Sequence, residues 1–255
     1  MKEVRGLLSP FIPLLLEKSL SIGLFPIEFK EAIVCLLLKK SVLDSTQKKN
    51  YRPVSNLSFL SKLLERAAQA VEVFQDCSDL MPTMQSAYRR CHSTETAVLK
   101  IYDDLLLAAD NGDESALCLL DLTAAFNTVD HDLVMLKLEC QFGLRGVILD
   151  WFRSYLCGRT YRVIHHVICS VPQGSVLGPR MFILCAANLE DVAAKHSVNI
   201  YGYADDTQLY LHGCRDDMTS TVHRLESCIT DVGQWMSAKI RLSYSGLDQD
   251  TVSLF

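Results

Sequence analysis

Three carboxylates stand out by their settings. Asp121 comes near the end of a short, almost wholly apolar run, ALCLLDL at 116–122, and Asp205 and Asp206 sit side by side in YADD at 203–206. A carboxylate beside an apolar core is costly unless it is paired or metal-bound. Hard divalent cations take oxygen ligands, and two of them roughly 3.5–4 Å apart can activate an attacking hydroxyl and stabilise the leaving oxygen of a phosphoryl transfer. Asp121, Asp205 and Asp206 are the right residue type for that work. Taken alone, the dipeptide reads better as a surface turn, because Ala-Asp-Asp-Thr is also good turn chemistry.

The elements that must position these acids can be read from periodicity. Residues 55–75 put Leu60, Leu63, Leu64 and Ala67 on one helical face with Ser58 as N-cap. Residues 93–109 open on a capping-box pattern, with Thr96 in place of the usual Glu or Gln, and continue as an amphipathic helix through Val98, Ile101, Leu105 and Ala108. The run at 116–122 has the signature of a strand buried on both faces. Helices are expected over 131–141 and around Trp151 to Leu156, a strand over 163–170, a loop over 171–179 and one helix over 181–194. Residues 198–211 read as a hairpin carrying Ala204, Asp205 and Asp206 at its tip. Strands and helices mix without regular βαβ alternation, which predicts an α+β fold.

Composition bounds the rest. With 255 residues, 49% apolar and 22% charged, the chain can bury a core and is neither disordered nor fibrous. Its ten cysteines contain no C-x-x-C and the closest pair, Cys157 and Cys169, is twelve residues apart, so they read as small buried hydrophobes in a reducing compartment rather than zinc ligands or a disulfide framework. No apolar run reaches the roughly 20 residues of a membrane span, and Pro10 and Pro13 interrupt the one stretch resembling a signal peptide. The expected location is intracellular, nucleus or cytoplasm undecided. A net charge of −5 argues against a nucleic-acid binder, but the charge is uneven. Residues 30–66 hold eight basic and three acidic side chains, whereas 101–132 hold eight acids and no Lys or Arg. Two solvated faces would look like this; so would a phosphate grip beside an acidic metal centre.

The order of motifs carries more weight than any one of them. LLDLTAAFNTVDH at 119–131, VPQGSVLGP at 171–179 and YADD at 203–206 strongly resemble motifs A, B and C of reverse transcriptases. FKEAIVCLLLKK, NYRPVSNLSFLSKLLER, QSAYRRCHSTETAVLKIYDDLLLAADNG, WFRSYLCGRTYRV and TQLYL resemble successive blocks of the polymerase of non-LTR (LINE-type) retrotransposons, from about Leu8 to Met236. The resemblance implies a right-hand polymerase fold, with fingers and fingers-palm connection over 1–115, palm over 116–240 and a degenerate tail over 241–255. It implies that Asp121 and Asp205 bind two Mg²⁺ or Mn²⁺ ions, with Asp206 as neighbouring acid and the Leu122 carbonyl as a further ligand. Phe126 matches the aromatic gate that rejects a ribose 2′-hydroxyl. Gln173, Gly174 and Tyr203 match the nucleotide site, and Arg52, Lys39 and Lys40 match the segment that holds triphosphate and template; a guanidinium suits phosphate geometrically. The implied partners are an RNA template, a DNA primer and dNTPs, with no membrane. Trp151, Trp235 and His131 read as packing residues and His92 as a helix-entry residue.

This sequence departs from the family at Asn127, where Asp is usual, in a shorter span between Arg159 and Val171, and in the segment after Ser237, where the motif D lysine has no clear counterpart. Against the resemblance, the chain is expected to hold fingers and palm only, without the thumb and endonuclease domains of the family. Two expectations follow: an RNA-directed DNA polymerase domain with activity put in question by truncation, or a non-catalytic remnant that at most binds nucleic acid.

Overall fold

In the computed structural model, which describes residues 9–40, 42–44, 46–47, 50–70, 82–89, 91–121, 129–162, 165–166, 172, 174–239 and 252–254, the chain sorts into two interleaved units. Met1–Leu80 with His131–Met181 form unit 1, and Met81–Asp130 with Phe182–Phe255 form unit 2.

Unit 1 has helices α1 (Phe11–Ile22), α2 (Phe59–Ala70), α4 (His131–Cys140) and α5 (Val147–Leu156) with a sheet of strands β1 (Glu31–Leu38), β2 (Tyr51–Asn56), β4 (Thr160–Tyr161) and β5 (His165–His166). The sheet order is β2-β1-β4-β5, with β1 and β2 antiparallel and β4 parallel to β1. Of the strand expected at 163–170, only His165–His166 fall within the described residues. Ser58 caps α2 as expected, its Oγ accepting the Ser61 N–H at 3.1 Å. The buried stripe of α2 is shifted from the expected face: it runs through Ser61, Leu64, Glu65 and Ala68. Trp151 is a packing residue, 1% exposed, edge-on to Phe25 and stacked on Tyr155, with its Nε1 donating to Ser19 Oγ at 3.0 Å.

Unit 2 is built on the sheet β6-β7-β3-β8, with β3 Asp113–Asp121, β6 Asn199–Tyr203, β7 Asp206–Cys214 and β8 Val252–Leu254, paired antiparallel throughout. Helix α3 (Thr94–Asp110) starts at the expected capping box: Ser93 Oγ accepts the Thr96 N–H and Thr96 Oγ1 accepts the Ser93 N–H. It buries Ala97 and Ile101 against Tyr201 and Tyr210, with Leu105 and Leu117 alongside. Val98, expected on that face, is 64% exposed; the stripe passes through Ala97 instead. Helix α8 (Met218–Lys239) packs on β7 and β3 and buries Leu225, Cys228, Ile229, Val232 and Met236.

Three further expectations change. Strand β3 is not buried on both faces: Ala116, Cys118 and Leu120 are buried, but Leu119 is 54% exposed because α3 covers Leu117 and not Leu119. The helix expected over 181–194 is two, α6 (Gly178–Ala186) and α7 (Leu189–Lys195). They part at Asn188, the N-cap position of α7, whose side chain makes no capping bond to the backbone and whose Nδ2 donates to Asp191 Oδ2 at 3.1 Å. Among the described cysteines only Cys118, Cys185 and Cys228 are buried, whereas Cys35, Cys91, Cys140, Cys157 and Cys214 are exposed.

Candidate active site

Strands β6 and β7 of unit 2 meet in a two-residue turn, Ala204–Asp205, closed by the pair Tyr203 and Asp206. Ala204 has φ 58° and Asp205 has no such left-handed value, the pattern of a type II′ turn, whose twist suits a hairpin. Glycine is the usual choice there, since the left-handed region costs an L-residue roughly 1–2 kcal/mol. Asp206, expected at the tip, is the first residue of β7. That strand lies between β6 and β3, so Asp206 stands opposite Tyr203 on one side and Asp121 on the other. Directly opposed residues of an antiparallel pair have Cα atoms about 4.5–5.5 Å apart, which brings the backbone of the third acid within one rung of the hairpin acids. Asp205 and Tyr203 are half-buried and Asp206 is exposed. Leu119, near the same end of the sheet, is exposed as well.

A buried side chain supports the strained turn. Gln85 Oε1 accepts the N–H groups of Ala204 at 3.0 Å and Ala87 at 3.1 Å, and its Nε2 donates to the Ala204 carbonyl at 3.1 Å. Tyr88, itself at φ 61°, has its phenol raised by burial and by the charges of Asp205 and Tyr203. Neither residue was picked out by sequence reasoning.

The acids offer only carboxylate oxygens, a donor set that fits Mg²⁺ or Mn²⁺. Among the described residues no group of three His, Cys, Asp or Glu side chains converges on one point; Asp205 and Asp206 supply two acids, and Asp121 contributes its backbone position. Leu122, Phe126, Asn127 and Gln173 lie outside the described residues.

Unit 1 carries the other candidates. Arg52 pairs with Leu37 across β1 and β2, and the Lys39 N–H donates to the Asn50 carbonyl at 2.8 Å, so Lys39, Lys40 and Arg52 lie at the same end of one hairpin, all exposed. Gly174 has φ 108°, and a Cβ there would come within 2.9 Å of the Ser55 carbonyl of β2. The reason for glycine at 174 is thus its approach to β2 as well as its backbone angle. The loop leads into α6, whose start is held by Glu65 of α2. Its Oε2 accepts the N–H groups of Val176 at 2.5 Å and Leu177 at 3.2 Å, while Ser175 Oγ accepts that of Gly178 at 3.0 Å.

The acidic stretch is not concentrated at the acids of the hairpin. Asp113 and Glu114 lie at the opposite end of β3, roughly 27 Å from Asp121 at strand rise. Glu114 is paired with Arg215 at 2.6 Å and Asp104 with Lys100 at 2.5 Å, so the negative charge is spread over the unit and partly neutralised.

Comparison with known proteins sets these motifs in a family. The family model described as reverse transcriptase (RNA-dependent DNA polymerase) matches residues 37–243. The chain is 29% identical over 249 residues to a probable RNA-directed DNA polymerase from transposon BS of Drosophila melanogaster, covering 91% of this chain and 26% of that protein. It is 28% identical over 211 residues to the RNA-directed DNA polymerase from mobile element jockey of the same species, covering 77% of this chain and 23% of that protein. It thus spans about a quarter of the length of these relatives. Matched over most of its length by the family model, the chain belongs to the reverse transcriptase family, as a domain homologous to the polymerases of LINE-type transposons.

Proposed function

We propose that this domain performs RNA-directed DNA synthesis, joining a dNTP to a primer 3′-hydroxyl on an RNA template with release of pyrophosphate. The observation that supports it is the ladder register that sets Asp121 opposite Asp206, next to the turn residue Asp205. In this reading β3, β6, β7, α3 and α8 act as the palm and the β1–β2 hairpin as fingers. Asp121, Asp205, Asp206 and the Leu122 carbonyl hold two divalent ions, which when bound lower the cost of forming the attacking alkoxide and of charge on the leaving oxygen. Arg52, Lys39 and Lys40 neutralise triphosphate and template phosphates. Phe126 blocks a 2′-hydroxyl, and Tyr203, Gln173 and Gly174 border the nucleotide.

Mg²⁺-dependent primer extension on an RNA template tests it. Asp205→Asn is expected to lower extension by about 10³-fold or more, in the range of losing a charge-stabilising group, and equal extension by both proteins would overturn it. The exposed basic hairpin favours a second reading, nucleic-acid binding without chemistry. Filter binding that falls steeply with salt, with no extension by the wild-type chain, would support that reading instead.

A further inference from the structure

We infer that Gln85 is a positioning residue for the acidic hairpin: its side-chain amide clamps the backbone of Ala204 on both sides and so fixes the left-handed turn that carries Asp205. The inference deepens the polymerase reading and rests on it for its effect on activity.

Gln85 is 8% exposed, and its amide faces the one non-glycine turn residue of the hairpin with positive φ. The carbonyl oxygen takes the Ala204 N–H and the amide nitrogen gives a hydrogen bond to the Ala204 carbonyl. Those two groups belong to the peptide planes before and after Ala204. Holding both resists the peptide flip that would relax φ and swing Asp205 away. Only an amide can do this: a carboxylate has no donor for the carbonyl, and an apolar side chain has neither partner.

The clamp is itself anchored. Gln85 bridges to Gly202 of β6 in parallel, with the Ser86 N–H donating to the Gly202 carbonyl at 2.9 Å and the Gly202 N–H to the Met84 carbonyl at 2.8 Å. Glu190 Oε1 of α7 accepts the Met84 N–H at 2.8 Å. Gly202 also makes room, because a Cβ there would stand 3.0 Å from Gln85 Nε2. Three hydrogen bonds thus anchor the backbone on either side of Gln85, and the three made by its side chain reach Ala204 and Ala87.

The test compares full-length wild type, Gln85→Ala, Gln85→Glu and the double variant Gln85→Ala with Ala204→Gly. Hydrogen exchange of the Ala204 amide should be about tenfold faster in Gln85→Ala, as expected for losing one hydrogen bond, while amides along β7 stay protected. Primer extension should lose about 10²-fold in kcat, the scale of a small misplacement at a reacting centre, with KM for dNTP unchanged. Glycine adopts positive φ without support, so the double variant should regain most of that kcat. If Gln85→Ala does not fold, Gln85→Glu, which keeps the acceptor and loses the donor, should show the same kcat loss and the same rescue by Ala204→Gly. Unchanged exchange at Ala204, unchanged kcat, or a double variant no better than the single would each overturn the inference. A wild-type chain that extends no primer overturns the polymerase reading, and the exchange arm then decides the clamp by itself.

Discussion

Two loops of this molecule are each held by one buried polar side chain from a distant segment, and the anchors differ in charge. In unit 1 the loop before α6 is held by Glu65; in unit 2 the acidic hairpin is held by Gln85. A helix start presents only N–H donors, so an acceptor-only carboxylate satisfies it and gains from the helix dipole. A hairpin turn presents a donor and an acceptor together, which calls for an amide. The difference also lies in what surrounds each anchor. Glu65 has the Arg159 guanidinium nearby, itself 2% exposed and stacked over the Tyr155 ring at 3.9 Å. Gln85 instead stands between acids, with Glu190 on the neighbouring Met84 N–H and Asp205 next to the Ala204 that it clamps, so a carboxylate in its place would add like charge.

The sharpest way to break this pairing is Glu65→Ala. It strands the N–H groups of Val176 and the buried Leu177 and removes the countercharge of a buried arginine, so unfolding in urea should show a loss of about 3 kcal/mol. Gly174→Ala should cost about 2 kcal/mol in the same measurement, since it combines a forbidden backbone angle with a Cβ pressed on the Ser55 carbonyl. Glu65→Gln keeps an acceptor for both N–H groups and should cost about 1 kcal/mol, with a dependence on pH that separates the anchors. Burial raises the Glu65 carboxyl above its ordinary range, more than Arg159 and the two N–H groups lower it. The folded state then binds this proton more tightly than the unfolded chain. The contribution of Glu65 is therefore full below the ordinary carboxylate pKa and is lost as pH rises through the folded value. The stability gap between wild type and Glu65→Gln should narrow from pH 4.5 upward, whereas the gap for Gln85→Ala should stay constant; a flat gap for Glu65→Gln would remove the contrast. The smallest effect is expected for Ala204→Gly alone, within about 0.5 kcal/mol of wild type, because relief of the turn offsets the added freedom of the unfolded chain.

What was legible in the sequence was local. The caps at Ser58 and Ser93, the strand that ends at Asp121 and the hairpin arms are set by neighbours within a turn or two of chain. The break at Asn188, the exposure of Leu119 and the entry of Asp206 into β7 depend on which element covers which face, and no local pattern states that. The anchors were missed for the same reason: Gln85 and Ala204 are 119 positions apart, and Glu65 and Val176 are 111 apart. Glu65 lies off the face that the sequence pattern marks with Leu60, Leu63, Leu64 and Ala67, and only the structure places it in the buried stripe of α2 with Leu64 and Ala68, where a carboxylate requires a buried partner. The three acids stand out as candidates by residue type and motif order, whereas the backbone pairing of Asp121 with Asp206 comes only with the β3–β7 register.

That register has a cost during synthesis. Asp121 and Asp206 face each other across 85 positions, and at about 5–20 residues per second a ribosome needs several seconds to make the strand that covers β3. Through that interval the nascent chain carries β3 with an unpaired edge beside Ala116, Cys118 and Leu120, while the last segment of unit 1 is made in between and can close first. A newly made copy of this domain therefore exposes a sticky strand edge at a defined stage of its translation, a natural point for chaperone capture or for mispairing between neighbouring chains.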